Sequence, residues 1–244
     1  MSSQNSIKAF FKRQVFHPNW VSLLVNPFYF GRKGLRDAVK SLSKYMVGDI
    51  IDVGCGQKPY KEFFKYEKYI GIEVEQEGHT HENEDVDIFY DGKHIPFADN
   101  HFDSAICSQV LEHVFHPDDF LQEIRRVLKP DGCLLLTVPF VWDEHEQPYD
   151  YARYSSFGLR FLLEKNGFEV IEHQKTLSDT RVLFQLLNGY IFKKTLWARR
   201  SPALNLVATA VFNAWLNLLG SLLFWILPRN KDLFLDNVLV AKKR

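Results

Sequence analysis

Two stretches of this chain hold residue types that could do chemistry. The first is Gly54-Cys55-Gly56, which follows an apolar run (Ile50, Ile51, Val53) carrying one embedded acid, Asp52. Such a run, broken by glycines and restarted with Pro59 near a first turn, reads as a buried parallel strand turning sharply into a helix. Without side chains at positions 54 and 56 the backbone can close on a ligand, and the turn offers unpaired N–H groups at a strand's carboxyl end. Glu73 follows at about the 20-residue spacing of an acid that accepts hydrogen bonds from both hydroxyls of a ribose. The second stretch runs from Trp142 to Tyr154 and concentrates His145, Asp150, Tyr151, Arg153 and Tyr154. It is polar, follows an apolar strand, and has the composition of a functional loop.

Composition sets the bounds. At 244 residues the chain suits one sizeable α/β domain. Hydrophobic residues make up 46% and charged residues 25%, which excludes a disordered chain. Lys+Arg and Asp+Glu both number 30, so no electrostatic footprint for nucleic acid shows. Cys55, Cys107 and Cys133 lack metal-type spacing and read as reduced thiols of a cytoplasmic protein, and no signal peptide is visible.

The positioning elements follow from periodicity. Residues 1–34 read as an irregular, basic and aromatic arm (Phe10, Phe11, Phe16, Trp20) that packs on its own domain, lies on a membrane surface or caps the ligand site. A helix is expected from Leu35 to Met46, a short helix from Lys58 to Tyr66, and strands at Tyr69–Val74, Val86–Tyr90 and Ser104–Ser108. Then come a helix from Asp118 to Leu128, a turn at Lys129-Pro130-Asp131-Gly132, a buried strand from Cys133 to Val138, a helix from Ser155 to Lys165 and a strand from Phe168 to His173. Between Glu75 and Asp87 lies a polar stretch with His79 and His81. That pair could bind metal beside its carboxylates, but a solvated loop fits better and no metal is expected.

Read in order, Asp52-Val-Gly-Cys-Gly56, Tyr69-Ile-Gly-Ile-Glu73, Asp91-Gly-Lys-His-Ile-Pro-Phe97, Phe102-Asp103, Leu111-Glu-His-Val114 and Leu128-Lys-Pro-Asp-Gly132 resemble the class I S-adenosylmethionine-dependent methyltransferases of the small-molecule type. The resemblance covers residues 48–175 and returns at the final strand. It departs at Gln57-Lys58, where many relatives have a third small residue, and at Asp131, which replaces a glycine. It implies an α/β, Rossmann-like, seven-stranded and mostly parallel sheet with helices on both faces and the last strand antiparallel, at Asn237 to Lys242. It implies S-adenosyl-L-methionine as cofactor, held by Asp52, Gly54, Cys55, Gly56 and Glu73. By the same resemblance Asp91 takes the adenine amino group, the Gly92 N–H meets a ring nitrogen, and Gln109 lies against the methionine moiety. The polar loop resembles the His-x-x-Pro-Tyr-Asp-Tyr-x-Arg-Tyr stretch of methyltransferases found with bacterial surface-glycan assembly.

On that reading His145 and Asp150 are candidates to deprotonate an acceptor hydroxyl, with His113 as a third candidate base or a wall of the site. Arg153 would hold an anionic group of a small-molecule or glycan-type acceptor, flanked by Tyr151 and Tyr154. Two alternatives remain: a non-catalytic cofactor-binding scaffold, and a nicotinamide-dependent oxidoreductase, whose fingerprint would need a glycine where Pro59 stands. The whole reads as one domain: arm 1–34, cofactor-binding core 35–175, helical insertion 176–232 and final strand 233–244. Within the insertion, residues 203–227 are uncharged, yet Asn205, Thr209, Asn213, Asn217 and Ser221 recur at every fourth position. Spanning a membrane would separate the last strand from its sheet. The segment is therefore expected to meet a membrane surface, a partner in a homodimer, or its own core.

Overall fold

The computed structural model describes residues 18–75, 85–196 and 202–244. Residues 1–17, the loop with His79 and His81, and Arg199 and Arg200 of the insertion's basic flank lie outside the described residues, as do the side chains of Asn205 and Thr209. The strands are β1 (Asp49–Val53), β2 (Lys68–Val74), β3 (Ile88–Tyr90), β4 (Phe102–Ser108), β5 (Leu128–Pro139), β6 (Phe168–Lys175) and β7 (Asp236–Lys243). They form one sheet in the order β3-β2-β1-β4-β5-β7-β6. The first five pair in parallel, while β7 runs antiparallel to β5, with Cys133 opposite Lys242. The expected seven-stranded Rossmann-like sheet with an antiparallel last strand is borne out.

Parallel strands covered on both faces are apolar throughout, and β1, β4 and β5 obey this: Ile50, Ile51, Val53, Ile106, Leu134, Leu135 and Leu136 are buried. The helix α3 (Pro117–Val127) covers the sheet with Phe120, Leu121, Ile124 and Val127. Each contributes roughly 1.5–3 kcal/mol by leaving water. Pro117 starts this helix, acids fill its first turn and Arg125 and Arg126 its last, as the helix dipole favours.

By clustering of contacts the chain divides into two compact units. One comprises Ala38–Gln174 with Asp236–Arg244 and holds the sheet. The other comprises the described residues through Asp37 with Lys175–Leu235. In this second unit the helices α1 (Trp20–Val25), α5 (Arg181–Leu196) and α6 (Pro202–Ile226) pack together, along with the start of α2 (Tyr29–Leu42). The polar stripe of α6 faces inward here. Asn217 donates to the carbonyls of Leu23 (2.8 Å) and Asn26 (3.1 Å), and Asn188 donates to Asn217 Oδ1 (2.9 Å). The opposite face of α6 leaves Trp215 56% and Trp225 83% exposed. Among the described residues no helix is long and apolar enough to cross a membrane.

Three local expectations are corrected. Residues 20–25 and 29–34 are helical rather than irregular, the first helix because Asn19 and Ser22 close a reciprocal capping box that starts α1. The helix expected at Lys58–Tyr66 is a single 3-10 turn, Lys61–Phe63, because Lys58 sits at φ +49° and turns the chain before a helix can propagate. The Lys129–Gly132 turn is absorbed into β5, which follows α3 directly with a bulge in its pairing to β4 and Asp131 at φ +64°.

Candidate cofactor cradle and lid

The strand order reverses between β1 and β4, so their carboxyl ends open the crevice in which such sheets bind ligands. Gly54 and Gly56 lie at this opening with φ of +73° and +47°. A Cβ at Gly54 would stand 2.3 Å from Val110 Cγ2, whereas one at Gly56 would meet none of the described residues within 4 Å. Gly54 is therefore a packing necessity and Gly56 is clear of the described residues. The Gly54 and Cys55 amides donate to the Ile72 carbonyl at 2.9 and 3.2 Å, tying the turn to β2. The Gly56 amide donates to Glu73 Oε2 (3.1 Å), so the turn and the expected ribose acid meet.

Asp52 is buried below the turn and accepts the Tyr69 hydroxyl proton at 2.6 Å. Burial raises its carboxyl to about 7, against the downward pull of Tyr69. Burial also drives the Cys55 thiol upward, so it stays protonated as a packing group. Asp91 turns one oxygen to its own chain: Oδ1 accepts from the Lys93 and His94 amides, both at 2.8 Å, which lowers its pKa. Gly92, at φ +73°, packs against Val74. Gln109, at φ +59°, donates its amide to the Thr137 carbonyl (2.9 Å) and its side chain to Thr137 Oγ1 (3.1 Å).

The loop after β5 folds around one ion pair. Arg153 grips Asp150 with Nη1 on Oδ1 (2.6 Å) and Nη2 on Oδ2 (2.7 Å). The same guanidinium donates to the carbonyls of Trp142, Asp143 and Ala152. Asp150 also accepts the His145 amide (2.9 Å) and lies 3.2 Å from His145 Nδ1. The Arg153 fork brings the Asp150 carboxyl down to about 2, so it is a weak base and a strong clamp. Tyr151 is exposed and packs edge-on against Phe115 at 5.2 Å. Tyr154 is half-buried, its hydroxyl raised to about 12 by burial, and its amide donates to the Pro139 carbonyl.

His113 reaches into this loop. Its Nδ1 lies 2.9 Å from the Tyr149 carbonyl, and its ring meets that of His145 at 4.8 Å. The structure thus brings His113, His145, Asp150 and Arg153 together, and separately gathers Asp52, the glycines and Glu73.

Sequence reasoning passed over three acids and a lysine here. Lys58 is buried beneath the turn and donates to Asp87 Oδ2 (2.7 Å), which also accepts the Gly71 amide (2.7 Å). Glu112 is fully buried beside His113, and burial raises its carboxyl to about 8. Glu146 brings Oε2 to 3.6 Å from His113 Nε2. In the sequence Glu112 carries no mark of burial, since it stands beside a second polar residue, His113.

Residues 51–136 match the family described as methyltransferase domain. Among curated proteins, the ubiquinone/menaquinone biosynthesis C-methyltransferase UbiE of Paraburkholderia phymatum is 46% identical over 85 residues, 33% of this chain and 35% of that protein. The chain thus spans about a third of the length of that relative. Among solved structures, the [4+2]-cyclase SpnF aligns with a TM-score of 0.56 at 22% identity, covering 88% of this chain and 83% of that one. A Haemonchus contortus phosphoethanolamine N-methyltransferase 2 in complex with S-adenosyl-L-methionine aligns with a TM-score of 0.55 at 18% identity, covering 96% and 56%. These structural likenesses establish the fold, which by itself hosts more than one reaction. Over residues 51–136 the chain is thus similar to a methyltransferase domain, and the fold agrees with that likeness.

Proposed function

We propose, taking residues 51–136 as a methyltransferase domain, that this chain transfers a methyl group from S-adenosylmethionine to a small-molecule or glycan-type acceptor, at oxygen. The observation that carries this reading is the cradle: a glycine closed under Val110, a second glycine clear of the described residues, and Glu73 at the end of the adjacent strand. Those residues fit an adenosyl ligand, with Glu73 for the ribose hydroxyls and Asp91 and Gly92 for the adenine edge. When bound, S-adenosylmethionine supplies a methyl group on a positively charged sulfur, which is already a good electrophile. The chain's own residues then have little covalent work to do, and aligning acceptor and methyl provides much of the rate.

The acceptor side of the reading is the lid. His113 and His145 face one another with Nδ1 atoms turned to protein oxygens, leaving Nε2 atoms to take a hydroxyl proton. Asp150 and Arg153 act as positioning residues, and Tyr151 supplies an exposed ring to an acceptor. The C-methyltransferase relative favours carbon as the acceptor atom instead. Mass analysis of the labelled product separates the two.

We also assign the exposed face of α6 (Phe212, Trp215, Leu218, Leu222, Trp225) to a membrane surface, placing the protein at the inner face of the membrane. Its polar face is spent on internal hydrogen bonds, and Arg229 and Lys231 follow where lipid phosphates would lie. A homodimer through the same face is the competing occupant.

Thermal shift with S-adenosylmethionine, S-adenosylhomocysteine and nicotinamide dinucleotides tests the core of this. A ligand at about a hundred times its Kd adds roughly 2.7 kcal/mol, or about 5–10 °C in a chain of this size. A shift with the adenosyl compounds alone is expected. A shift with the dinucleotides alone overturns the reading in favour of an oxidoreductase, and binding without turnover on any acceptor favours a scaffold.

A further inference from the structure

Glu112 is 0% exposed, and among the described residues neither carboxylate oxygen has a hydrogen-bond partner. An unpartnered buried carboxylate is costly, and protonation only exchanges a naked charge for a hydroxyl donor that has no acceptor. Either form is left unsatisfied by the chain itself.

Two imidazoles face the same spot. His113 Nδ1 lies 2.9 Å from the Tyr149 carbonyl, which can only accept, so Nδ1 carries the proton and Nε2 presents its lone pair. That Nε2 is 4.0 Å from Glu112 Oε1 and 3.6 Å from Glu146 Oε2. His145 Nδ1 lies between two acceptors, Asp150 Oδ2 at 3.2 Å and the Asp143 carbonyl at 3.3 Å, with the Arg153 donor farther off at 3.5 Å. Its Nε2 is therefore also bare. One donor atom from each of Glu112, His113 and His145 lies within 4.8 Å of the others.

We propose that Glu112, His113 and His145 bind one divalent transition-metal ion of the zinc type, with Glu146 beside the open coordination position. The donor set is two imidazole nitrogens and a carboxylate, which suits Zn²⁺, Co²⁺ or Mn²⁺ and not the all-oxygen shell of Ca²⁺. Ligand bonds of about 2.1 Å place tetrahedral donors roughly 3.4 Å apart, so side-chain adjustments of about 1.5 Å or less close the site. Each histidine already has the outer support that metal-bound imidazoles use, a backbone carbonyl for His113 and a carboxylate for His145. Arg153 is the nearby cation, and its charge is matched by Asp150 in a two-point pair. Three protein ligands leave a position open, and in the lid that position suits a hydroxyl or carboxylate oxygen of the acceptor. With the ion bound, both Nε2 atoms are ligands rather than bases, and binding of the ion itself does not depend on the methyl-transfer reading.

The test uses the full chain, stripped with a chelator and titrated with Zn²⁺ against a metallochromic competitor, with bound metal counted by elemental analysis. One equivalent per chain is expected. Glu112→Gln and the double change His113→Ala/His145→Ala should each weaken binding at least about 100-fold, while His79→Ala/His81→Ala keeps the equivalent. Histidine-ring NMR of the unmodified chain checks this without relying on any variant's folding, since Zn²⁺ should shift the Nε2 signals of His113 and His145. Absence of a retained ion, equal retention by the Glu112 and His113/His145 variants, or loss on changing His79 and His81 would each overturn the proposal. Binding of S-adenosylhomocysteine, measured alongside, keeps a failure here distinct from a failure of the methyltransferase reading.

Discussion

Gly54 lies directly beneath Val110: a methyl group at Gly54 would stand 2.3 Å from Val110 Cγ2, at a backbone φ of +73°. The turn between β1 and the residues after it can therefore exist in this form only with glycine at that position. Gly54→Ala combines a steric clash with left-handed strain and should cost several kcal/mol, about 2–4, with loss of S-adenosylhomocysteine binding. Gly56→Ala meets none of the described residues within 4 Å, so strain is the expected cost, about 1–2 kcal/mol. Urea unfolding of the two variants side by side checks the order. Equal losses would show that Val110 yields.

Glu73 and Asp91 should separate by their present partners. Glu73→Ala frees the Gly56 amide as well as removing the proposed ribose acceptor, so calorimetry should find adenosyl binding weakened by about 100-fold or more. Asp91→Ala removes the cap on the Lys93 and His94 amides and the proposed adenine acceptor, with an expected loss of about tenfold. Unchanged affinity in Asp91→Ala would remove Asp91 from the adenine site.

Asp52 gives the ligand-free protein a pH dependence whose sign follows from its raised carboxyl, held at about 7 chiefly by burial. The native state holds this proton more tightly than the unfolded chain does. Its contribution is therefore complete below about pH 4, falls as pH climbs to about 7, and is flat beyond. Between pH 5 and 8 the wild-type chain should lose roughly 3 kcal/mol more stability than Asp52→Asn. Glu112, also raised by burial, is common to both chains and cancels in the difference. Parallel slopes would mean that Asp52 is ionised in the native state throughout.

The clamp between Asp150 and Arg153 predicts a local effect. Asp150→Asn loses the charge that Arg153 grips, an interaction worth about 1.5–3 kcal/mol for a charged hydrogen bond. Hydrogen exchange of amides between Asp143 and Tyr154 should quicken at least tenfold, while S-adenosylhomocysteine affinity stays within about twofold. An unchanged exchange pattern would show that the loop is held by its backbone contacts alone.

The exposed face of α6 is tested with anionic liposomes at low and high salt. The chain should sediment with them at low salt, and Trp215→Ala/Trp225→Ala should reduce the bound fraction by about tenfold. If the chain instead elutes as a dimer that dissociates on the same double change, and ignores liposomes, the face is a subunit contact.

The cofactor half was legible because its signals are local. Glycines, a strand-end acid and apolar runs each announce themselves within a few residues, and the sheet's order then places them together. The lid was legible only as composition. His145, Asp150 and Arg153 were marked as chemically able residues, but the sequence could not show that the last two would spend themselves on each other. Glu112 stayed hidden because a buried acid next to a histidine looks, in one dimension, like any acid in a turn. The described part of the N-terminal region, residues 18–34, was misjudged for another reason. Its six-residue helix rests on the Asn19–Ser22 capping box and on Asn217, a partner almost two hundred residues away.

The pairing of Cys133 with Lys242 closes the sheet across more than a hundred intervening residues, and those residues include both helices of the insertion. Loop-closure entropy grows only with the logarithm of length, so doubling such a loop costs about 0.6 kcal/mol. Lengthening or exchanging the segment between β6 and β7 is thus nearly free for the sheet. What that segment touches can drift in evolution, or be re-engineered, while the chemistry-bearing strands stay as they are.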